Sequence, residues 1–167
     1  MKDLKTAIQK IKLIVLDVDG VLTDGSLFYD KKGEAIKKFN VKDGQGIKLA
    51  QMYNMELAII SGRICEITKN RFTELGIKHI FQGIHDKAKI MNELIKKLNI
   101  NLDEVAYIGD DILDVPVFEI VGLSACPKDA HATAKNKAEI ITENSGGNGC
   151  VREFIDLILK EQGKITF

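Results

Sequence analysis

The sequence has no tryptophan, only two prolines and three cysteines, and no net charge. Each scarcity excludes something. Cys65, Cys126 and Cys150 are odd in number and far apart, which fits neither a disulfide framework nor zinc-ligand spacing. Packed thiols in a reducing cytoplasm are the expectation. Lys plus Arg and Asp plus Glu both number 24, so the basic excess of a nucleic-acid footprint is missing. No apolar run approaches the roughly 20 residues of a membrane helix. The opening MKDLKTAIQKIK is charged throughout and lacks a signal peptide's apolar region.

What is there is the balance of a globular protein, 45% hydrophobic and 29% charged. Residues 1–167 suit one domain at roughly 150 residues per domain. Neither an internal repeat nor a linker interrupts the chain. Residues 12–17, 55–60, 104–109 and 121–126 are short apolar runs bounded by Gly or Asp, as in buried parallel strands, with weaker strands at 78–83 and 138–142. Helical spacing marks 46–53, 64–75, 86–98 and 149–162. The alternation predicts an α/β fold, a three-layer α/β/α sandwich around a mainly parallel, Rossmann-like sheet. Residues 25–41 break the rhythm with two apolar runs around Asp30-Lys31-Lys32-Gly33, predicting a β-hairpin inserted after the first strand.

Chemistry-bearing residues gather where strands end, the usual place of sites in open α/β sheets. Asp17-Val18-Asp19-Gly20 follows the first strand and can aim two carboxylates into one crevice, although Asp and Gly are also ordinary turn residues. Ser61-Gly62-Arg63 follows the second, offering a hydroxyl and free backbone N–H groups to an anion, or an N-cap serine. Lys87 opens a helix, a place where a cation is disfavoured unless an anion faces it. Gly109-Asp110-Asp111-Ile112-Leu113-Asp114 follows another strand. Three acids so close repel one another unless a cation or a capped helix relieves them. Asp110 can reach the crevice of Asp17 and join a hard-oxygen Mg²⁺ site. Asp111 or Asp114 can instead open a helix, with Asp114 orienting Lys87.

These four segments, in this order, resemble the haloacid dehalogenase-like phosphatase superfamily. The resemblance implies Asp17 as nucleophile, Asp19 as general acid/base, and Ser61 and Lys87 as catalytic partners. It further implies Mg²⁺ held by Asp17, the backbone carbonyl of Asp19, and Asp110, with Asp111 and Asp114 in support. Gly62, Arg63, Arg71, Lys87 and Arg152 are the implied substrate-binding residues. The span from Asp17 to Ser61 holds only the hairpin, a helix and a strand, and that from Ser61 to Lys87 only a helix and a strand, so no cap domain fits.

Within the superfamily, DVDGVLTDG, KKFNVKDGQGI, SGR, HDK, YIGDD and the glycine-rich run 146–149 resemble the family of 3-deoxy-D-manno-octulosonate 8-phosphate phosphatases. That likeness implies a cytoplasmic homotetramer in lipopolysaccharide precursor synthesis, acting on a phosphorylated sugar acid, with hairpins associated and a C-terminal tail, 145–167, whose flexible run 145–149 lets it cover a neighbour's site. Truncation after Asn144 is then expected to leave the core folded. An alternative reading of 148–153 is the plain start of the last helix. Ser61-Gly62-Arg63 differs from the Thr-Gly-Glu of the 2-keto-3-deoxynononate 9-phosphate relatives, the alternative substrate. An arginine also suits a carboxylate, which its fork binds bidentately. A non-catalytic phospho-acceptor or assembly module is the alternative of a different class. A two-component receiver domain would place its acidic pair before the lysine rather than after it. His79, His85 and His131 are scattered, Phe28, Tyr29 and Phe39 read as packing, and Lys37-Lys38 as a solvated patch.

Overall fold

The computed structural model describes residues 3–166, the side chain of Glu34 excepted. The chain runs through α1 (Leu4–Lys10), β1 (Leu13–Leu16), a hairpin of β2 (Phe28–Asp30) and β3 (Gly33–Ile36), α2 (Val41–Met52), β4 (Glu56–Ile60), α3 (Glu66–Glu74), β5 (His79–Phe81) and α4 (Lys87–Leu98). It continues through β6 (Val105–Ile108), α5 (Val115–Phe118), β7 (Leu123–Cys126), α6 (Ala132–Lys137), β8 (Ile140–Ile141) and α7 (Cys150–Glu161). Single 3-10 turns lie at Leu102–Glu104 and Ile112–Asp114.

Six strands form one parallel sheet in the order β5-β4-β1-β6-β7-β8. Successive side chains of a strand face opposite ways, and here both faces are covered. Ile14 and Leu16 pack with Ile59, Ala106 and Ile108 under α2 and α7, while Leu13 and Val15 pack with Ala58, Ile60 and Tyr107 under α4 and α5. That double burial is why the strands read as unbroken apolar runs. The result is the expected three-layer sandwich. The hairpin is a separate two-stranded sheet after β1, and the spans between the strand-end motifs contain no cap. The three cysteines are free thiols and buried. No helix of the described residues is long and apolar enough to cross a membrane.

Three departures from the sequence reading have physical causes. Helix α1 was not anticipated; its signal is the Asp3 cap, whose carboxylate accepts Lys5 N–H at 3.2 Å. Helix α2 starts five residues before position 46, capped by Asn40, whose side chain accepts Lys42 N–H at 2.8 Å. Gly44 and Gly46 conceal that start, because glycine disfavours helices. Both lie against neighbouring helices. A Cβ on Gly46 would lie 3.2 Å from the Arg152 Cα, and one on Gly44 2.7 Å from an Arg71 guanidinium nitrogen.

The third departure corrects the expectation that the glycine run 145–149 is flexible. The glycine run is bound to its own chain. Gly147 N–H donates to Val21 O at 2.8 Å and Gly146 N–H to Asp129 Oδ1 at 2.9 Å. A Cβ on Gly146 would come within 1.9 Å of Gly20 O. Helix α7 then buries Val151, Phe154, Ile155, Ile158 and Leu159 completely. Its N-terminus is capped by a residue of α2: buried Asp43 accepts Arg152 N–H at 2.8 Å and Gly149 N–H at 3.3 Å.

Phe154→Ala is expected to lower unfolding free energy by about 3–5 kcal/mol, read from the urea midpoint. Truncation after Asn144 should abolish cooperative unfolding, because loss of the whole apolar face of α7, with Val151, Phe154, Ile155, Ile158 and Leu159, leaves that side of the sheet uncovered. A truncated chain that still melts cooperatively would show α7 to be dispensable.

Candidate active site

Strand β1 lies where the sheet order reverses, with β4 on one side and β6 on the other. Asp17 extends β1 by one rung, its N–H donating to Ile108 O at 3.0 Å. Ser61 extends β4 in the same way towards Phe81 O at 2.9 Å. Gly109 extends β6 towards Ala125 O at 3.1 Å, which puts Asp110 one residue beyond. The parallel register therefore delivers Asp17, Ser61 and Asp110 to the same end of the sheet.

Lys87 sits at the first position of α4, 4% exposed. Its ammonium lies 3.0 Å from Asp17 Oδ1 and 2.6 Å from Asp114 Oδ1, and donates to Tyr107 Oη at 3.3 Å. Tyr107 in turn donates to Asp114 Oδ1 at 2.5 Å. Asp114 Oδ2 accepts the backbone N–H groups of Asp110 at 2.9 Å and Asp111 at 3.0 Å. Asp114 is thus the keystone, tying α4, β6 and the loop after β6 together.

Two glycines make room. A Cβ on Gly109 would lie 2.3 Å from Asp114 Cγ, and one on Gly20, where φ is +88°, would lie 2.1 Å from Asp110 Oδ2. Thr23 braces the loop between them, its hydroxyl oxygen accepting Gly25 N–H at 3.2 Å.

Burial pushes the Asp17 carboxyl up to about 6, with the Lys87 ammonium opposing the rise and Asp114 adding to it. Burial, with the charges of Asp17, Asp114 and Asp111, pushes Asp110 up to about 8. Burial pulls Lys87 down, but Asp17 and Asp114 outweigh it and hold the ammonium above its ordinary value. Oxygens of Asp17, Asp110 and Asp114 lie within 4.8 Å of one another. Both oxygens of Asp114 are already engaged by donors, so a cation falls to Asp17 and Asp110. An all-carboxylate donor set short of positive charge fits a hard divalent ion.

The other expected residues divide. The Asp19 carboxyl is instead faced by two cations: Lys37 Nζ lies 2.7 Å from Oδ1, and Arg63 Nε 3.7 Å from Oδ2. That leaves the backbone carbonyl of Asp19 as the group it could offer a metal. Ser61 is 2% exposed, and its Oγ accepts Arg63 N–H at 3.2 Å in a tight turn through Gly62. Arg63 also donates to Tyr29 Oη of the hairpin at 3.1 Å. Asp111 caps the short turn after β6, accepting Ile112 N–H at 2.7 Å.

The structure does not bring Arg71 or Arg152 to the carboxylates. Arg71 pairs with Glu74 at 3.1 Å on α3. Arg152 pairs with Asp156 at 2.8 Å and lines a separate cavity of about 440 Å³ with Lys42 and Asn148. The reading of Lys37-Lys38 as a solvated patch is corrected: Lys37 is 8% exposed and faces Asp19, while Lys38 is exposed. Sequence reasoning also missed Tyr107 and Asp43. A tyrosine in a buried strand reads as core, and an acid in a helix reads as surface.

A buried lysine shared by a strand-end aspartate and a supporting aspartate, with a further acid beside them at the switch point, defines a hydrolase of the haloacid dehalogenase-like type. The profile of the haloacid dehalogenase-like hydrolases matches residues 79–155. The chain is 46% identical over 160 residues, 96% of its length and 85% of the relative's, to the 3-deoxy-D-manno-octulosonate 8-phosphate phosphatase of Salmonella typhi. The crystal structure of the enzyme of that name from Yersinia pestis superposes with a TM-score of 0.94 at 42% identity, covering 98% of this chain and 88% of the other. That from Moraxella catarrhalis, in complex with a magnesium ion, a phosphate ion and KDO, superposes at 0.93 and 39% identity, covering 98% and 94%. The chain belongs to the haloacid dehalogenase-like hydrolases, among their phosphatases.

Lys87 offers a test with a definite sign. From their ordinary 3.8 up to about 6 for Asp17 and about 8 for Asp110, the folded protein binds protons that the unfolded chain does not. Stability of the metal-free protein therefore falls as pH rises through that window. Lys87→Met removes the opposing cation and should steepen the fall. In EDTA, its deficit in urea midpoint against wild type is expected to be larger at about pH 8 than at about pH 5. A deficit independent of pH would show that Lys87 does not compensate these carboxylates.

Proposed function

We propose that the chain is a Mg²⁺-dependent cytoplasmic phosphomonoesterase. Its substrate in this reading is 3-deoxy-D-manno-octulosonate 8-phosphate, cleaved to the free sugar acid and phosphate in lipopolysaccharide precursor synthesis. The observation that carries the reading is the Asp17–Lys87–Asp114 ion triad beside Asp110 at one end of the sheet. The substrate is supported by the identity with phosphatases of that name along nearly the whole chain, and by Arg63, which can bind a sugar-acid carboxylate through its fork.

In this mechanism Asp17 attacks phosphorus and the bond to the sugar oxygen breaks, leaving an aspartyl phosphate. Asp19 gives its proton to the departing alkoxide and then takes one from the water that hydrolyses the acyl phosphate. A phosphate dianion repels a carboxylate nucleophile, and Lys87 offsets that repulsion from beside Asp17. Asp17, Asp110 and the Asp19 carbonyl would hold Mg²⁺, which would supply the positive charge that screens the remaining repulsion. Ser61 and Gly62 contribute a hydroxyl and a backbone N–H to those oxygens.

The assembly in this reading is a homotetramer joined through the hairpins. Leu27, Phe28, Tyr29 and Ile36 are exposed there, and an isolated two-stranded hairpin is marginal in water. Sedimentation should give a tetramer that Phe28→Glu breaks up. An active wild-type monomer would end this part of the proposal.

Phosphate release from a panel of phosphorylated sugar acids tests the activity. Asp17→Asn should reduce turnover to background while the thermal melt stays cooperative, and EDTA should silence the wild type until Mg²⁺ is restored. Turnover by Asp17→Asn would exclude the covalent route, and full activity in EDTA the metal.

A further inference from the structure

We propose that the loop after β7, residues 127–131, is a clamp that fixes the spacing of the two loops assigned to Mg²⁺, with Asp129 as its positioning residue. This deepens, and rests on, the metal-dependent phosphatase reading above.

The groups assigned to the ion come from two loops. Asp17 and the Asp19 carbonyl belong to the end of β1 and the turn after it, and Asp110 to the loop after β6. The sheet holds these loops together only as far as its last rung, where Asp17 N–H meets Ile108 O at 3.0 Å. Beyond that rung, no hydrogen bond among the described residues joins 18–25 to 110–114. The turn after β1 is closed on itself, with the N–H groups of Val21, Leu22 and Thr23 all directed to Val18 O. The two loops do touch, since a Cβ on Gly20 would fall 2.1 Å from Asp110 Oδ2. Such a contact limits their approach but does not stop them from parting. Mg²⁺ demands a near-ideal octahedron, so the spacing needs a tie.

Residues 127–131 grip both loops. On one side, His131 N–H donates to Asp110 O at 2.8 Å. On the other, Asp129 Oδ1 accepts Gly146 N–H at 2.9 Å. Gly146 passes that hold to the turn after β1: it lies so close to Gly20 O that a Cβ would come within 1.9 Å. The next residue, Gly147, donates to Val21 O at 2.8 Å. The circuit therefore runs from Gly20 through Gly146, Asp129, His131 and Asp110 back to Gly20. The clamp is itself braced. Ala130 N–H donates to Pro127 O at 3.1 Å and Lys128 N–H to Asn144 O at 3.2 Å, and His131 Nδ1 accepts Thr133 N–H at 3.1 Å at the start of α6.

Asp129 is not one of the acids whose oxygens converge at the end of β1, so its part is played through Gly146. Its bond to Gly146 is also the one hydrogen bond of the circuit made by a side chain. A substitution can cut it without altering a group assigned to the ion. Removing a partner that orients a metal ligand typically lowers metal affinity about 10- to 100-fold. Asp129 stands one contact further out, which puts its effect at the lower end of that range.

The test reads the half-saturating Mg²⁺ concentration in two ways: from phosphate release, and from the rise of the thermal melt with Mg²⁺ in the absence of substrate. For Asp129→Ala both midpoints should move up about tenfold, with kcat at saturating Mg²⁺ within about threefold of wild type. Asp129→Asn keeps an oxygen acceptor for Gly146 N–H but no charge, and should stay within about twofold of wild type on both readings. The other arm of the clamp has its own pair of variants. His131→Ala keeps the N–H given to Asp110 O, and His131→Pro removes it at a φ of −55° that proline adopts. Relative to His131→Ala, His131→Pro should need about tenfold more Mg²⁺, and this pair carries the test if Asp129→Ala does not fold. Unmoved Mg²⁺ midpoints in Asp129→Ala, with or without a fall in kcat, would overturn the clamp while leaving the phosphatase reading intact. So would a shift in Asp129→Asn as large as that in Asp129→Ala, because the charge of Asp129 and not its bond to Gly146 would then be at work. Wild-type protein whose melt ignores Mg²⁺ and which releases phosphate from no ester would remove that reading and this proposal together.

Discussion

Charge compensation at the end of β1 is the constraint on which the rest of the site depends. Asp17, Asp110 and Asp114 converge there, and Lys87 is the cation between two of them. At an effective dielectric constant of about 20, two unit charges about 4 Å apart interact by about 4 kcal/mol. Three ionised acids around one ammonium still leave two negative charges. Burial and the neighbouring acids raise Asp17 and Asp110 above the ordinary carboxylate range. A divalent ion would balance what Lys87 leaves, turning the repulsion among these acids into attraction for the ion. Asp114 makes this possible by spending both oxygens on Lys87, Tyr107 and two backbone N–H groups, so that the loop holding Asp110 is fixed before any ligand arrives.

The sheet turns local sequence into this convergence. Parallel pairing of β1 with β4 and β6 keeps their C-terminal ends level, so residues one or two positions past each strand become neighbours in space. That is why the site was legible in the sequence to the extent that it was. Buried strands stand out as apolar runs, and the acids, serine and lysine just beyond them stand out against the runs. Asp17 and Asp110 stand just past strand ends, Lys87 opens the helix after β5 and Asp114 ends the turn after β6, and the structure brings these four together.

Residues whose roles depend on distant partners were not legible. Lys37-Lys38 reads as solvated because nothing local distinguishes one lysine from the other; Asp19, 18 positions earlier, does so. Asp43 reads as a polar helix residue, yet it caps α7, more than a hundred positions away in the chain. The glycine run before α7 shows the same limit from the other side. Glycine signals flexibility when its missing side chain leaves freedom, and rigidity when it leaves room for another backbone. With Gly20 O 1.9 Å from where a Cβ of Gly146 would stand, the second meaning holds. Only the contact, not the composition, decides between them.

A site without a cap must obtain its recognition from its rim, and the rim here is a chain of contacts rather than a lid. Tyr29 of the hairpin accepts from Arg63, Arg63 faces one oxygen of Asp19, and Lys37 holds the other. The hairpin thus reaches the reacting centre at two points, through a residue on its first strand and one just past its second. Arg63 is shared between the hairpin and Asp19, so an anion drawing the guanidinium outward would loosen its hold on the carboxyl that Lys37 keeps in place. Tyr29, Arg63, Asp19 and Lys37 thus form one connected set of side chains. The hairpin is thereby tied to the ends of β1 and β4, although its exposed apolar residues taken alone suggest only an interface.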